Sequence, residues 1–120
     1  MSKKEQIHGI LSQLKAALPE LQEVIVASSD GLAIDHLGAG EANARLAAMA
    51  ATAHGLGKRI ATTSDLGEIV ETVILGSQAF FIAYAIGDKA VLALTMPAGS
   101  NLGLVRLEAQ EVARQLSQVL

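Results

Sequence analysis

Three histidines, His8, His36 and His54, are the residues of this chain best suited to move a proton or hold a metal near neutral pH. Their placement argues against both. His8 falls at the exposed start of a helical pattern, His36 near a strand end, and His54 on a different helix. No His-x-x-x-His or Glu-x-x-His pair sets two ligands on one helix face. There is no cysteine, which excludes disulfides and thiolate metal sites. The run His54-Gly55-Leu56-Gly57-Lys58-Arg59 has the look of a phosphate loop. Thr52 stands where that loop needs its first glycine, however, and Arg59 stands where Ser or Thr must follow the lysine. No Gly-x-Ser-x-Gly elbow offers a nucleophile. Glu108 and Glu111, near Arg114, read as a helix-surface charge network. The chain therefore reads as non-enzymatic, with no catalytic residue, no metal set and no cofactor motif.

The elements that hold these residues follow from the apolar periodicity. Ser2 can cap a first helix, with Glu5 three residues on as in a capping box, and Ile7, Leu11, Leu14 and Leu18 recur at helical spacing. Pro19 ends it. Glu23–Ala27 is a strand, and Asp30-Gly31 predicts a type I′ hairpin into a second strand through Leu37. Leu32, Ile34 and His36 fall on one of its faces, and Ala33, Asp35 and Leu37 on the other. Gly38-Ala39-Gly40 breaks it. A long helix runs from about Glu41 to about Ala61, with Leu46, Met49, Ala53, Leu56 and Ile60 as its apolar stripe. Beside that stripe lies a small-residue row, Ala44, Ala47, Ala48, Ala51 and Gly55.

Three further strands are expected over Glu68–Leu75, Phe80–Ile86 and Ala90–Met96, divided by Gly76-Ser77 and Gly87-Asp88-Lys89. Two of them are apolar almost throughout, so both faces of their sheet must be covered. After Pro97, Asn101 can cap a last helix lined by Val105, Ala109, Val112, Leu116 and Leu120, with Arg106, Gln110, Arg114 and Gln118 as its solvated row. The order is α-β-β-α-β-β-β-α, and hairpin-length connections make the strands antiparallel. The expected fold is a mixed α/β (α+β) protein: one domain over residues 1–120, an α/β/α sandwich around a five-stranded antiparallel sheet.

Composition narrows the partners. Hydrophobic residues make up 51% of the 120, yet aromatics only 2%, so the core is built from Ala, Leu, Val and Ile. A formal charge of −3 gives no footprint for nucleic acid or an anionic membrane surface. No stretch of about 18 uncharged apolar residues predicts a membrane span, and no signal peptide is evident. A cytoplasmic protein is expected. Two features suggest association. The row Ala44, Ala48, Ala51 and Gly55 allows a close approach, either to the helix's own sheet or to another helix. The strand carrying Glu68, Val70, Thr72 and Ile74 is a pairing template if it lies at a sheet edge.

Taken together, the hairpin Val24–Leu32, the long helix after it, the strands Ala79–Ile86 and Ala90–Met96 and the start Asn101-Leu102-Gly103-Leu104-Val105-Arg106 resemble the roadblock/dynein light-chain family, in its bacterial, MglB-like branch. The resemblance implies a profilin-like roadblock fold with the middle helix on one sheet face and the terminal helices on the other. It also implies a homodimer joined through the third strands and the middle helices, placing Ala44, Ala48, Ala51, Gly55, Glu68, Val70, Thr72 and Ile74 at the interface. Family members bind small Ras-like GTPases and modulate their nucleotide state or location. Carried over, Arg45, His54, Lys58 and Arg59 on the middle helix, then Thr62 and Asp65 in the following loop, are the residues expected at a GTPase. The alternative is a small-molecule-sensing or signalling adaptor without such a partner.

Overall fold

The computed structural model describes residues 1–38 and 43–120. Its elements are α1 (Lys3–Ala17), β1 (Glu23–Ser28), β2 (Ala33–Leu37), α2 (Asn43–Thr63), β3 (Thr72–Leu75), β4 (Ala79–Ile86), β5 (Ala90–Pro97) and α3 (Leu102–Val119). One antiparallel sheet has the order β2-β1-β5-β4-β3, so β5 is central and β3 is an edge. The expected element order and layering hold.

Strand alternation sorts the sheet into two cores. Val24, Val26, Ile82, Leu92, Leu94 and Met96 point to the face covered by α1 and α3, where they meet Leu11, Leu14, Val105 and Leu116. Ile25, Ala27, Ala83, Val91 and Ala93 point to the other face, under Ala47 and Ala50 of α2. Both terminal helices are capped as their sequences require. The Ser2 hydroxyl and Glu5 carboxylate accept each other's backbone N–H at 3.1 and 3.2 Å, and Asn101 Oδ1 accepts from Leu104 N at 3.1 Å.

Three expectations are corrected. The β1–β2 turn is not type I′, because Gly31 takes positive φ (93°) and Asp30 does not. Ser28 N bonds to Leu32 O at 2.8 Å, so the loop has three residues with its left-handed position on the glycine. The register also slips between Val26 and Ala27, where Ile34 has no Cα partner, so the strict alternation expected for β2 stops there. Second, β3 covers only Thr72–Leu75; Glu68–Glu71 runs outside the ladder. Third, the large apolar stripe of α2 is not its buried face. Ala47, Ala50 and Ala61 are buried and Leu46 is partly so, while Met49, Leu56 and Ile60 are at least half exposed. The sheet beneath is itself lined by Ala27, Ala83 and Ala93, and a helix seated on alanines lies too close for long side chains to fit under it. The expected helix start at Glu41 and the Ala39-Gly40 break fall on residues 39–42, outside the described residues.

Ala50→Leu should therefore destabilise the fold by about 1–3 kcal/mol through overpacking, while Met49→Leu, one residue away, stays within about 0.5 kcal/mol. Denaturant midpoints at constant slope measure both.

Candidate functional site

The outward side chains of α2 and the free edge of β3 form one apolar surface. Leu46, Ala48, Met49, Thr52 and Ala53 of α2 face Ile74, Phe81 and Thr95 of the sheet across a groove of about 600 Å³. Ile74 and Leu75 are largely exposed on the edge strand. Of the residues expected at an interface, Ala44, Ala48, Glu68, Val70 and Ile74 are exposed, and Ala51, Gly55 and Thr72 are half-buried. Ala48 and Ile74 share this groove. Glu68, Val70 and Thr72 instead line a second hollow, beside Gly57, Ile60 and Leu66.

A third hollow, of about 650 Å³, lies on the other flank of α2. It gathers His54, Lys58 and Thr62 with Glu68, Ala85, Gly87 and Asp88. Three of the six residues expected to contact a partner thus converge. Arg45 and Arg59 are exposed elsewhere on α2, and Asp65 sits in the following loop with a left-handed φ of 54°. His54 is half-buried, and its Nδ1 is buried without a hydrogen-bond partner. Burial first, then the Lys58 charge, holds its pKa below the ordinary 6.5. The imidazole is therefore neutral at pH 7, leaving Lys58 as the cation of this hollow.

On the opposite face, two elements meet at the carboxylate of Glu71, just ahead of β3. Arg106 of α3 grips Glu71 with two nitrogens, Nε at 3.0 Å and Nη2 at 2.7 Å from Oε2. The Tyr84 hydroxyl of β4 donates to Oε1 at 2.9 Å. Burial pushes the Glu71 pKa up, but the Arg106 and Tyr84 hydrogen bonds and the Arg106 charge outweigh it, and the net shift is downward. Burial and the Glu71 carboxylate raise the Tyr84 pKa well above its ordinary value. The sequence placed Arg106 on a solvated row and missed this clamp. The available signal was Tyr84, a lone hydroxyl in an apolar strand, which needs a partner when buried. His8 likewise reaches across to the sheet, its Nδ1 3.0 Å from Asp35 Oδ2. Among the described residues, no group of three or more His, Asp or Glu side chains converges as a metal site. No described helix is long and apolar enough to cross a membrane.

Two groups tie stability to pH in separate windows. Glu71 has a depressed folded pKa, so its contribution is present above 4.5 and is lost as pH falls through the lower folded value. His54 also has a depressed folded pKa, so the unfolded chain takes the proton more readily and stability declines as pH falls below 6.5. Thermal midpoints followed from pH 8 downward should show Glu71→Gln lowering stability at neutral pH and flattening the acid limb. His54→Asn should remove only the earlier slope.

Comparison with known proteins places this architecture. The Roadblock/LC7 domain model matches residues 8–96. No curated protein matches the chain in sequence. Myxococcus xanthus MglB superposes with a TM-score of 0.88 at 18% identity, covering 99% of this chain and 90% of that one. An MglB described as having a tetrameric arrangement gives 0.85 at 19% identity over the same shares. Profilin II of Acanthamoeba castellanii shares the fold more distantly, at 0.62 and 13% identity over 86% and 90% of the two chains. The matched segment runs from the middle of α1 to the end of β5 and takes in all five strands and the whole of α2, so this chain belongs to the Roadblock/LC7 domain family, with an MglB-like fold.

Proposed function

We propose that this chain works as a homodimer that binds a small Ras-like GTPase and modulates its nucleotide state or location, without catalytic residues of its own. The observation that carries the reading is the groove shared by Met49 of α2 and Ile74 of β3. It joins an unpaired strand edge to an apolar helix face, so a second copy can cover both at once. Pairing of β3 with its symmetry mate continues the sheet, and the two α2 helices then pack beside it. Family membership and the tetrameric arrangement of a structurally similar MglB support self-association. Ala44, Ala48, Ala51, Gly55, Thr72 and Ile74 are the interface residues of this reading.

The partner is assigned to the hollow of His54, Lys58 and Thr62, with Arg45, Arg59 and Asp65 as outlying contacts. Nucleotide chemistry stays with the GTPase, because the basic side chains of α2 stand on a helix surface and do not project as a finger.

Sizing at micromolar concentration should give a dimer. Met49→Glu combined with Ile74→Glu should give a folded monomer, since burying two charges in a seam is costly. A parent chain that elutes as a monomer refutes the dimer. Lys58→Glu should weaken binding of a GTP-loaded Ras-like GTPase from the same genome about tenfold, as loss of one charged contact at an interface does. Titration of the purified pair measures it, and an unchanged affinity removes the hollow from the contact surface.

A further inference from the structure

The sheet is forked beside its edge strand. β4 runs from Ala79 to Ile86, but β3 pairs with it only as far as Ala83, leaving Tyr84, Ala85 and Ile86 without a strand partner on that side. Continuing the register would set Glu71 opposite Tyr84, Val70 opposite Ala85 and Ile69 opposite Ile86. Glu71 already reaches its counterpart through its side chain, the carboxylate accepting from the Tyr84 hydroxyl, although the two backbones do not pair. Ile69 does not reach its own. Its Cδ1 lies against α2, 2.7 Å from where a Cβ on Gly57 would stand, whereas Ile86 belongs to the core under α1 and α3. Val70 meanwhile is 73% exposed.

A hollow opens on each side of the fork. The one beside α3, about 290 Å³, lies between Ile69 and Val70 on one prong and Tyr84 and Ala85 on the other. The hollow beside α2 is the one containing His54 and Lys58, and it too is bounded by both prongs. Strand alternation would send Ile69 into the first and Val70 into the second. Both are β-branched and suited to a strand. Just upstream, Asp65 and Gly67 hold φ of 54° and 85°, a bend about which the segment can reverse its facing.

We propose that Glu68–Val70 is a strap that exchanges between this fork and a zipped state paired antiparallel with Ala85–Gly87. The Glu71–Tyr84–Arg106 clamp is its fixed pivot, and the seat of Ile69 on Gly57 is the contact released. Zipping lengthens the edge strand from Thr72 back to Glu68 and closes both hollows. Occupation of the α2-side hollow and zipping therefore exclude one another. The inference goes beyond the partner reading and stands or falls without any partner present.

The chain has no cysteine, so introduced pairs report cleanly. The two double variants are Val70→Cys with Ala85→Cys, and Ile69→Cys with Ile86→Cys. Adjacent antiparallel pairs alternate between close and wide spacing, so one of the two has the geometry a disulfide prefers. Under mild oxidation at least one should close an intramolecular disulfide, identified by mass. In the first variant, which keeps Ile69, adding Gly57→Ala should speed closure severalfold, because the new Cβ displaces the Ile69 Cδ1 from its seat. Val70 and Ala85 are both exposed, so the first variant retains the fold whatever the second does. If that folded variant stays reduced or links only between chains, and the second forms no internal disulfide, the strap does not zip.

Discussion

The close seat of α2 on an alanine-lined sheet decides the rest of this molecule. Alanine costs no side-chain entropy on burial and lets two backbones approach, but it removes little apolar surface from water. The face under α1 and α3 is packed with Leu, Ile and Val, whereas the face under α2 is largely Ala. The long side chains of α2 cannot pass beneath the helix and so turn outward. Full burial of a Met, Leu or Ile side chain is worth about 1.5–3 kcal/mol. Met49, Leu56 and Ile60 realise only part of that in the single chain. A helix so placed holds unused apolar surface on the side where a partner can approach.

Most of the architecture was legible because it rests on local rules. The capping box at Ser2 and Glu5, the Asn101 cap, the period-two strands and the glycine turns each specify a conformation from a few neighbouring residues. What failed depended on distance. Periodicity found two rows on α2, and neither is its buried face, which is Ala47, Ala50 and Ala61, because the sheet that the helix meets is lined by Ala27, Ala83 and Ala93 far along the chain. Propensity extended the third strand back to Glu68, because Ile69 and Val70 suit a strand. Whether they pair depends on Gly57, which offers Ile69 a competing seat. At the candidate site, His54, Lys58 and Thr62 could be placed on one turn-by-turn row, but Glu68 and Asp88 enter the same hollow only through the fold.

The clamp at Glu71 bears directly on the edge. Proteins commonly guard a free strand with charges, and Glu68 and Glu71 are the only charged residues along Glu68–Leu75. In the fold Glu71 turns to the α3 side, where it is half-buried, paired with Arg106 and hydrogen-bonded by Tyr84. Glu68 lies outside the ladder altogether. What remains on the edge is Thr72-Val73-Ile74-Leu75, with no charge and no proline. An edge that is short, apolar and unguarded, beside a helix face that is also apolar, is poorly protected for a chain that lives alone. The same residues suit one whose sheet continues into another copy. The acid that could have kept the edge apart instead links β4 to α3 through Tyr84 and Arg106, on the side away from the free edge.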